Sequence, residues 1–162
     1  MTDMPKVEIY TDGACLGNPG PGGFAALLRY NNKRKEITKG FKLTTNNRME
    51  LMGVIAALEA LKVKCTVVIY TDSKLVVDGI KKGWAKKWKS RDWIKSDNKK
   101  ALNSDLWAKL LELCSAHNVT FKWIEGHAGN ADNEYCDELS KKAAKGNNLF
   151  HDMVYEASRI TV

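Results

Sequence analysis

Two aspartates, Asp12 and Asp72, each follow the same three residues, Ile-Tyr-Thr, and each closes a run of strand-forming side chains, Val7-Glu8-Ile9-Tyr10 and Thr66-Val67-Val68-Ile69-Tyr70. Side by side in a parallel sheet, two such strand ends stand about 4.8 Å apart, and their carboxylates meet. Like charges that close do not both stay ionised unaided. A divalent cation held by hard oxygen donors relieves them, and such a site suits magnesium, with manganese as a substitute. The plainer alternative is that each aspartate only stops a strand.

Two more carboxylates and an imidazole stand where they can join such a centre. Glu50 falls in the first turn of a helix expected from Asn47. It lies about 40° from Val54 on the helical wheel, so it can face the sheet near the strand ends. Asn47-x-x-Glu50 also has capping-box spacing, which assigns Glu50 equally to its own helix terminus. Asp137 lies in Asn133-Glu134-Tyr135-Cys136-Asp137-Glu138, where an i, i+4 pair with Lys141 is the alternative. His127, in the flexible run Gly126-His127-Ala128-Gly129, offers a titratable group, although a lone loop histidine reads equally as a surface residue.

The elements that must position these groups follow from pattern. Gly13 to Gly23 carries too much glycine and proline to be regular, and reads as a turn. Gly20-x-Gly22-x-x-Ala25 matches the dinucleotide fingerprint formally, but Pro21 lacks an N–H for a pyrophosphate. Phe24 to Tyr30 leads into the polar turn Asn31-Asn32-Lys33, so a hairpin strand is expected there. Neither a phosphate loop nor a nucleophile elbow occurs. Residues 37–44 read as a third strand. Leu51, Val54, Ile55, Leu58 and Leu61 then recur at helical spacing. A short helix is expected over 73–79, and another from about 104 to 117 with the stripe Leu106, Leu110, Leu111 and Cys114. A fifth strand is expected over 119–124. Asn130 is expected to cap a last helix ending near residue 145, and the tail after Gly146 is weakly specified. Three strands joined by turns, followed by alternating helices and strands, make a mixed α/β sheet, with the helical crossover setting the fourth strand parallel to the first.

At 162 residues the chain reads as one domain, and a hydrophobic fraction of 44% with five tryptophans argues against disorder. No apolar run approaches the roughly 18 residues of a membrane span. The start, Met1 to Lys6, has no leader-like pattern, and Cys15, Cys65, Cys114 and Cys136 are widely spaced without a Cys-x-x-Cys pair. Free thiols in a reducing cytoplasm are the expectation. The net charge of +7 is concentrated: residues 81–100 hold nine basic and two acidic side chains, and the remaining seventeen of each sign cancel. Trp84, Trp88 and Trp93 share that segment, and basic residues interleaved with aromatics suit a polyphosphate partner. The competing reading is a solvated Lys-rich helix with its tryptophans packed beneath.

Thr11-Asp12-Gly13, Gly17-Asn18-Pro19-Gly20-Pro21-Gly22-Gly23, Thr45-Asn46-Asn47-Arg48-Met49-Glu50-Leu51, Thr71-Asp72-Ser73, Gly126-His127-Ala128-Gly129 and Asn133-Glu134-x-Cys136-Asp137 together resemble the signature blocks of bacterial type 1 ribonuclease H, in that family's order. The resemblance covers about residues 7–144, and it implies a ribonuclease H-like fold, a central five-stranded mixed sheet flanked by helices. It implies four catalytic, metal-binding carboxylates, Asp12, Glu50, Asp72 and Asp137, with His127 assisting proton transfer or product release. Cys15, Asn18, Thr45, Asn46, Asn47, Lys74, Trp84, Lys86, Lys87 and Lys89 become the expected substrate contacts. Among them Asn18, Asn46 and Asn47 lie near the RNA strand, Thr45 near a DNA phosphate, and Trp84 on a basic protrusion at residues 81–100.

The implied activity is endonucleolytic hydrolysis of the RNA strand of RNA·DNA hybrids with two divalent ions, leaving 5′-phosphate and 3′-hydroxyl ends, by a monomer in the cytoplasm. Lys74 stands where many members have glutamine, and Glu125 where lysine is common; both bear on substrate affinity and salt response. A same-fold DNA nuclease and a catalytically silent hybrid-binding module are the alternatives.

Overall fold

A computed structural model describes residues 4–160. Residues 1–3, the beginning of the segment inspected for a leader, and residues 161–162 of the tail lie outside it. Five strands form one sheet in the order β3-β2-β1-β4-β5. β1 (Lys6–Cys15), β2 (Gly20–Tyr30) and β3 (Lys33–Thr44) are an antiparallel meander, and β4 (Thr66–Thr71) and β5 (Asn118–Trp123) add in parallel beyond β1. The antiparallel part needs only tight turns, whereas each parallel pairing needs a crossover. Helix α1 (Asn46–Glu59) supplies the first. The second carries α2 (Lys74–Lys81), α3 (Trp84–Ser90) and α4 (Ser104–Ala116).

Alternation along the central strands divides the core. Ile9, Ala26, Leu28, Val67 and Ile69 pack with Leu51, Val54 and Leu58 of α1 and Trp107 and Leu110 of α4. Ala25 and Leu27 point to the opposite face and meet Cys136 of α5 (Ala131–Ala144), with Tyr10 alongside. Strand β2 is therefore apolar on both faces, as a covered strand must be. Trp107 is one of the largest fully buried side chains, and it falls within the helix expected over 104–117 although the apolar stripe read there did not include it.

Four features differ from expectation, the first being that β3 starts at Lys33 rather than Ile37 because its ladder with β2 runs to the hairpin turn. The glycine-rich run is strand for much of its length, because β1 continues to Cys15 and β2 begins at Gly20. Helix α5 is not the last: α6 (Met153–Ser158) follows it. The tail is also anchored, since Phe41 bridges to Phe150 and Asp152 is buried. Backbone pairing and a buried ion pair, which leave no periodic pattern, hold both segments.

Candidate active site

Strands β1 and β4 run in register, Ile9 opposite Ile69 and Tyr10 opposite Tyr70, so two residues further on Asp12 and Asp72 are level. Tyr10 and Tyr70 stack with ring centroids 4.7 Å apart, and the two-residue period of a strand places both aspartates on that same face. Only β4 ends before its aspartate. Asp12 lies inside β1, paired with Ala25 of β2, and the strand runs on because Gly13, Ala14 and Cys15 continue the ladder with Phe24, Gly23 and Gly22. Asp12 is thus held by sheet hydrogen bonds on both sides of it rather than at a frayed end.

Glu50 reaches the same point from α1. The cap of that helix is Thr45, whose hydroxyl accepts the Arg48 N–H at 3.2 Å, so the helix starts earlier than expected and Arg48, not Glu50, stands at the capping-box position. Glu50 Oε1 instead accepts the Gly13 N–H at 3.0 Å, and that N–H also approaches Asp12 Oδ1 at 2.9 Å. Helix and strand come this close because residue 13 has no side chain. A Cβ there would lie 2.5 Å from the Glu50 backbone nitrogen and 2.8 Å from Met49 Cβ. Carboxylate oxygens of Asp12, Glu50 and Asp72 lie within 4.8 Å of one another. They line a polar cleft of about 320 Å³ together with Gly13, Asn46, Ser73, His127 and Asp137. Asp137 stands at the edge of this group, on α5, with its Oδ2 2.9 Å from Lys141 Nζ. Asp137 thus lines the cleft and keeps the i, i+4 pair with Lys141, outside the close group of three.

Burial first, and the neighbouring Asp72 charge second, raise Asp12 from an ordinary 3.8 to about 7. Glu50 is pushed well above its usual range by burial and then by Asp12. No lysine or arginine lines the cleft, and Glu50 Oε2, fully buried, has no hydrogen-bond partner among the described residues. An orphaned buried carboxylate oxygen beside two more hard donors is a donor set that a divalent cation fits.

A family model described as RNase H matches residues 4–145. The chain belongs to the ribonuclease H family. It is 58% identical to a ribonuclease H of Rippkaea orientalis (strain PCC 8801 / RF-1) over 157 residues, covering 96% of each chain. Among solved structures it is similar to LC9-RNase H1, a type 1 RNase H with the type 2 active-site motif, at a TM-score of 0.81 and 32% identity, covering 99% of this chain and 84% of that one. LC11-RNase H1 in complex with RNA/DNA hybrid matches at a TM-score of 0.64 and 26% identity, covering 85% of this chain and 96% of that one.

Around the carboxylates of this ribonuclease H the expected substrate contacts fall into groups. Asn18 Oδ1 accepts the Asn46 N–H at 3.1 Å, tying the β1–β2 turn to the start of α1. Asn18, Thr45 and Asn47 share a second cleft of about 580 Å³. Cys15 turns its thiol to backbone, 3.4 Å from both Gly20 O and Thr44 O. Lys74 Nζ lies 4.7 Å from the centre of the Trp123 ring, and Trp123 Nε1 donates to the Asp72 carbonyl at 3.1 Å.

On α3 the cations separate. Lys87 and Arg91 line a cleft of about 420 Å³ with Trp84 and Trp88, while Lys86 and Lys89 line the opposite flank beside Ala108 and Glu112 of α4. The structure therefore does not bring Lys86, Lys87 and Lys89 to one face, because helical spacing alternates them around α3.

Sequence reasoning passed over Gly13 and Trp123 as site residues. A glycine directly after an aspartate that closes a strand-forming run was the available signal for the first; nothing marked the second.

Proposed function

We propose that this ribonuclease H hydrolyses the RNA strand of RNA·DNA hybrids endonucleolytically, with magnesium as the cofactor and manganese as a substitute. The observation that carries this reading is the set of three carboxylates whose oxygens lie within 4.8 Å, with no lysine or arginine lining their cleft. The hybrid bound to LC11-RNase H1 supports the choice of substrate. Asp12, Glu50 and Asp72 would hold the metal, with Asp137 available from the rim. Bound there, the cation supplies the Lewis-acid charge that polarises the scissile phosphodiester and eases departure of the 3′-oxygen.

The remaining work falls to the chain's own residues. His127, exposed and lining the cleft from its loop, would move a proton at the reacting oxygens. Asn46 lines the cleft itself and is locked to Asn18, so their amides can read a 2′-hydroxyl beside the carboxylates. Such contacts sense sugar and groove shape, not base identity, so cleavage is expected to be nearly independent of RNA sequence. All four carboxylates come from one chain, which supports a monomer. The four free cysteines are consistent with a reducing cytoplasm, and no described helix is long and apolar enough to cross a membrane.

Labelled RNA·DNA hybrid, duplex RNA and duplex DNA incubated separately with magnesium test the reading. Only the hybrid should be cut, in its RNA strand, with 5′-phosphate products, and Asp12→Asn should abolish the cut. Duplex DNA cleaved as readily would identify a DNA nuclease of this fold, and hybrid bound but never cut would identify a silent binding module.

A further inference from the structure

The three close carboxylates are not held alike. Asp12 sits inside β1 with a ladder partner on β2, and Glu50 rides on α1. Asp72 has neither support. The last paired residues beside it are Tyr10 with Tyr70 on one side and Thr71 with Trp123 on the other, and the backbone bond from Ile124 N–H to the Thr71 carbonyl, 3.0 Å, also stops one residue short of it. Helix α2 begins only at Lys74, after its cap Ser73. An aspartate in such a gap has backbone freedom to lose, and a metal ligand that is free to move binds less tightly.

What restrains it comes from residues 123–127. Trp123, at the end of β5, donates its indole N–H to the Asp72 carbonyl at 3.1 Å. Three residues on, the chain passes the other end of the same aspartate: a Cβ at Gly126 would lie 2.7 Å from Asp72 Oδ2 and 3.5 Å from its Cβ and Cγ. Backbone comes that near only where there is no side chain. The φ of Gly126 lies outside the left-handed region, so space rather than backbone conformation demands the glycine. The next residue is His127, which lines the cleft. One short segment thus bonds to the backbone of Asp72, abuts its carboxylate and carries the imidazole.

Trp123 is 43% exposed, and an exposed aromatic beside a nucleic-acid cleft reads first as a platform for a base. Its committed atoms argue otherwise. The indole has a single donor, which Asp72 takes. Its ring carries Lys74 Nζ 4.7 Å from the centre, and Lys74 opens α2 just beyond Asp72. The indole therefore bridges β5 and the start of α2 across the aspartate.

We propose that Trp123 and Gly126 are positioning residues for Asp72: the indole N–H fixes its backbone beyond the strand end, the bare backbone at Gly126 confines its carboxylate, and together they keep its oxygen beside those of Asp12 and Glu50. The inference rests on the reading of these carboxylates as a metal site. Neither residue touches the reacting phosphate.

The test compares full-length parent, Trp123→Phe and Gly126→Ala by calorimetric titration with manganese, at a temperature where each protein is fully folded, and by hybrid cleavage over a range of magnesium concentrations. Trp123→Phe keeps an aromatic face for Lys74 and loses the donor. Its manganese affinity should fall about tenfold, since losing a partner of a metal ligand typically costs about 10–100-fold. Its kcat should fall at low magnesium and recover as magnesium is raised, with KM for hybrid unchanged. Gly126→Ala should show the same pattern more strongly, because the added methyl group displaces the carboxylate itself. A merely structural role would lower the melting temperature and leave the manganese affinity of the folded protein at the parental value, which would overturn the assignment. Parental manganese affinity with a raised KM in Trp123→Phe would overturn it too, and make the ring a substrate platform. Should Trp123→Phe fail to fold, Gly126→Ala decides alone by the same measure. A parent that binds no manganese would overturn the metal site and this inference with it, whereas a parent that binds manganese but never cuts hybrid would overturn the proposed function alone and leave the affinities to decide here.

Discussion

Asp12 and Glu50 are nearly inaccessible to water, and for both it is burial first that favours the neutral form. In the unfolded chain Asp12 ionises near 3.8, whereas in the folded protein it does so near 7. Between about pH 4 and pH 7 the folded state therefore keeps a proton that the unfolded state has released, and stability falls as pH rises through that window. The loss contributed by Asp12 is on the order of 4 kcal/mol once the window is crossed. Asp12→Asn removes it: in the absence of metal the variant should melt several degrees above the parent at pH 7.5, with the gap closing toward pH 4. Calorimetry at the two pH values checks this, and a constant gap would show that charge is not its cause. Glu50→Gln separates the two roles its spacing allowed. With Thr45 already the cap, activity should vanish while the urea midpoint changes little or rises; lost stability with retained cleavage would return Glu50 to a capping role. At this scale the paired aspartates were legible because the tetrapeptide repeats. Arg48 was not, because its partners lie 57 and 104 residues further along the chain.

The elements explain why the site is tight. Strand β1 runs past Asp12, and α1 packs against it at Gly13, so the Glu50 backbone is set by a contact with no room for a methyl group. Gly13→Ala must push helix and strand apart. Overpacking of this kind costs about 1–3 kcal/mol, and because the displaced atoms are the Glu50 backbone, kcat should fall more than stability alone explains. Urea unfolding alongside single-turnover cleavage tests this, and a stable variant with parental kcat would show that the close approach does not position the carboxylate. The hairpin, the first crossover helix and the parallel placing of β4 against β1 could be read from β-branched runs and helical spacing. The strand nature of Gly13–Cys15 and Gly20–Gly23 could not, since small residues carry little strand preference and only their partners across the ladder reveal them. Helix α6 escaped for a related reason: its six residues have no buried apolar face, and the Asp152–Arg48 pair places it.

Across the whole molecule, charge is divided from chemistry. The carboxylates gather at one end of the sheet's central strands, while the entire net charge of +7 lies in residues 81–100. That concentration was plain in the sequence, but its direction was not, because α3 spreads its cations around a helix. Trp88 packs between Trp84 and the buried Trp107, with ring centroids 6.5 and 6.0 Å away, which anchors the segment to the core. Trp84 is 37% exposed and shares its cleft with Lys87 and Arg91. If the hybrid lies along that cleft, Lys87→Gln with Arg91→Gln should lower the log–log salt slope of binding by up to about 1.8 and raise KM. Lys86→Gln with Lys89→Gln removes the same two charges from the flank that faces Glu112, so any effect of the overall field is common to both pairs. The difference between the two double variants then reports contact geometry alone. Trp84→Ala should weaken binding at little cost in stability, and Trp88→Ala should do the reverse, because only the second indole fills space against Trp107. Equal salt slopes for the two charge pairs would reduce the segment to a source of diffuse attraction and leave the groove to be traced by other residues.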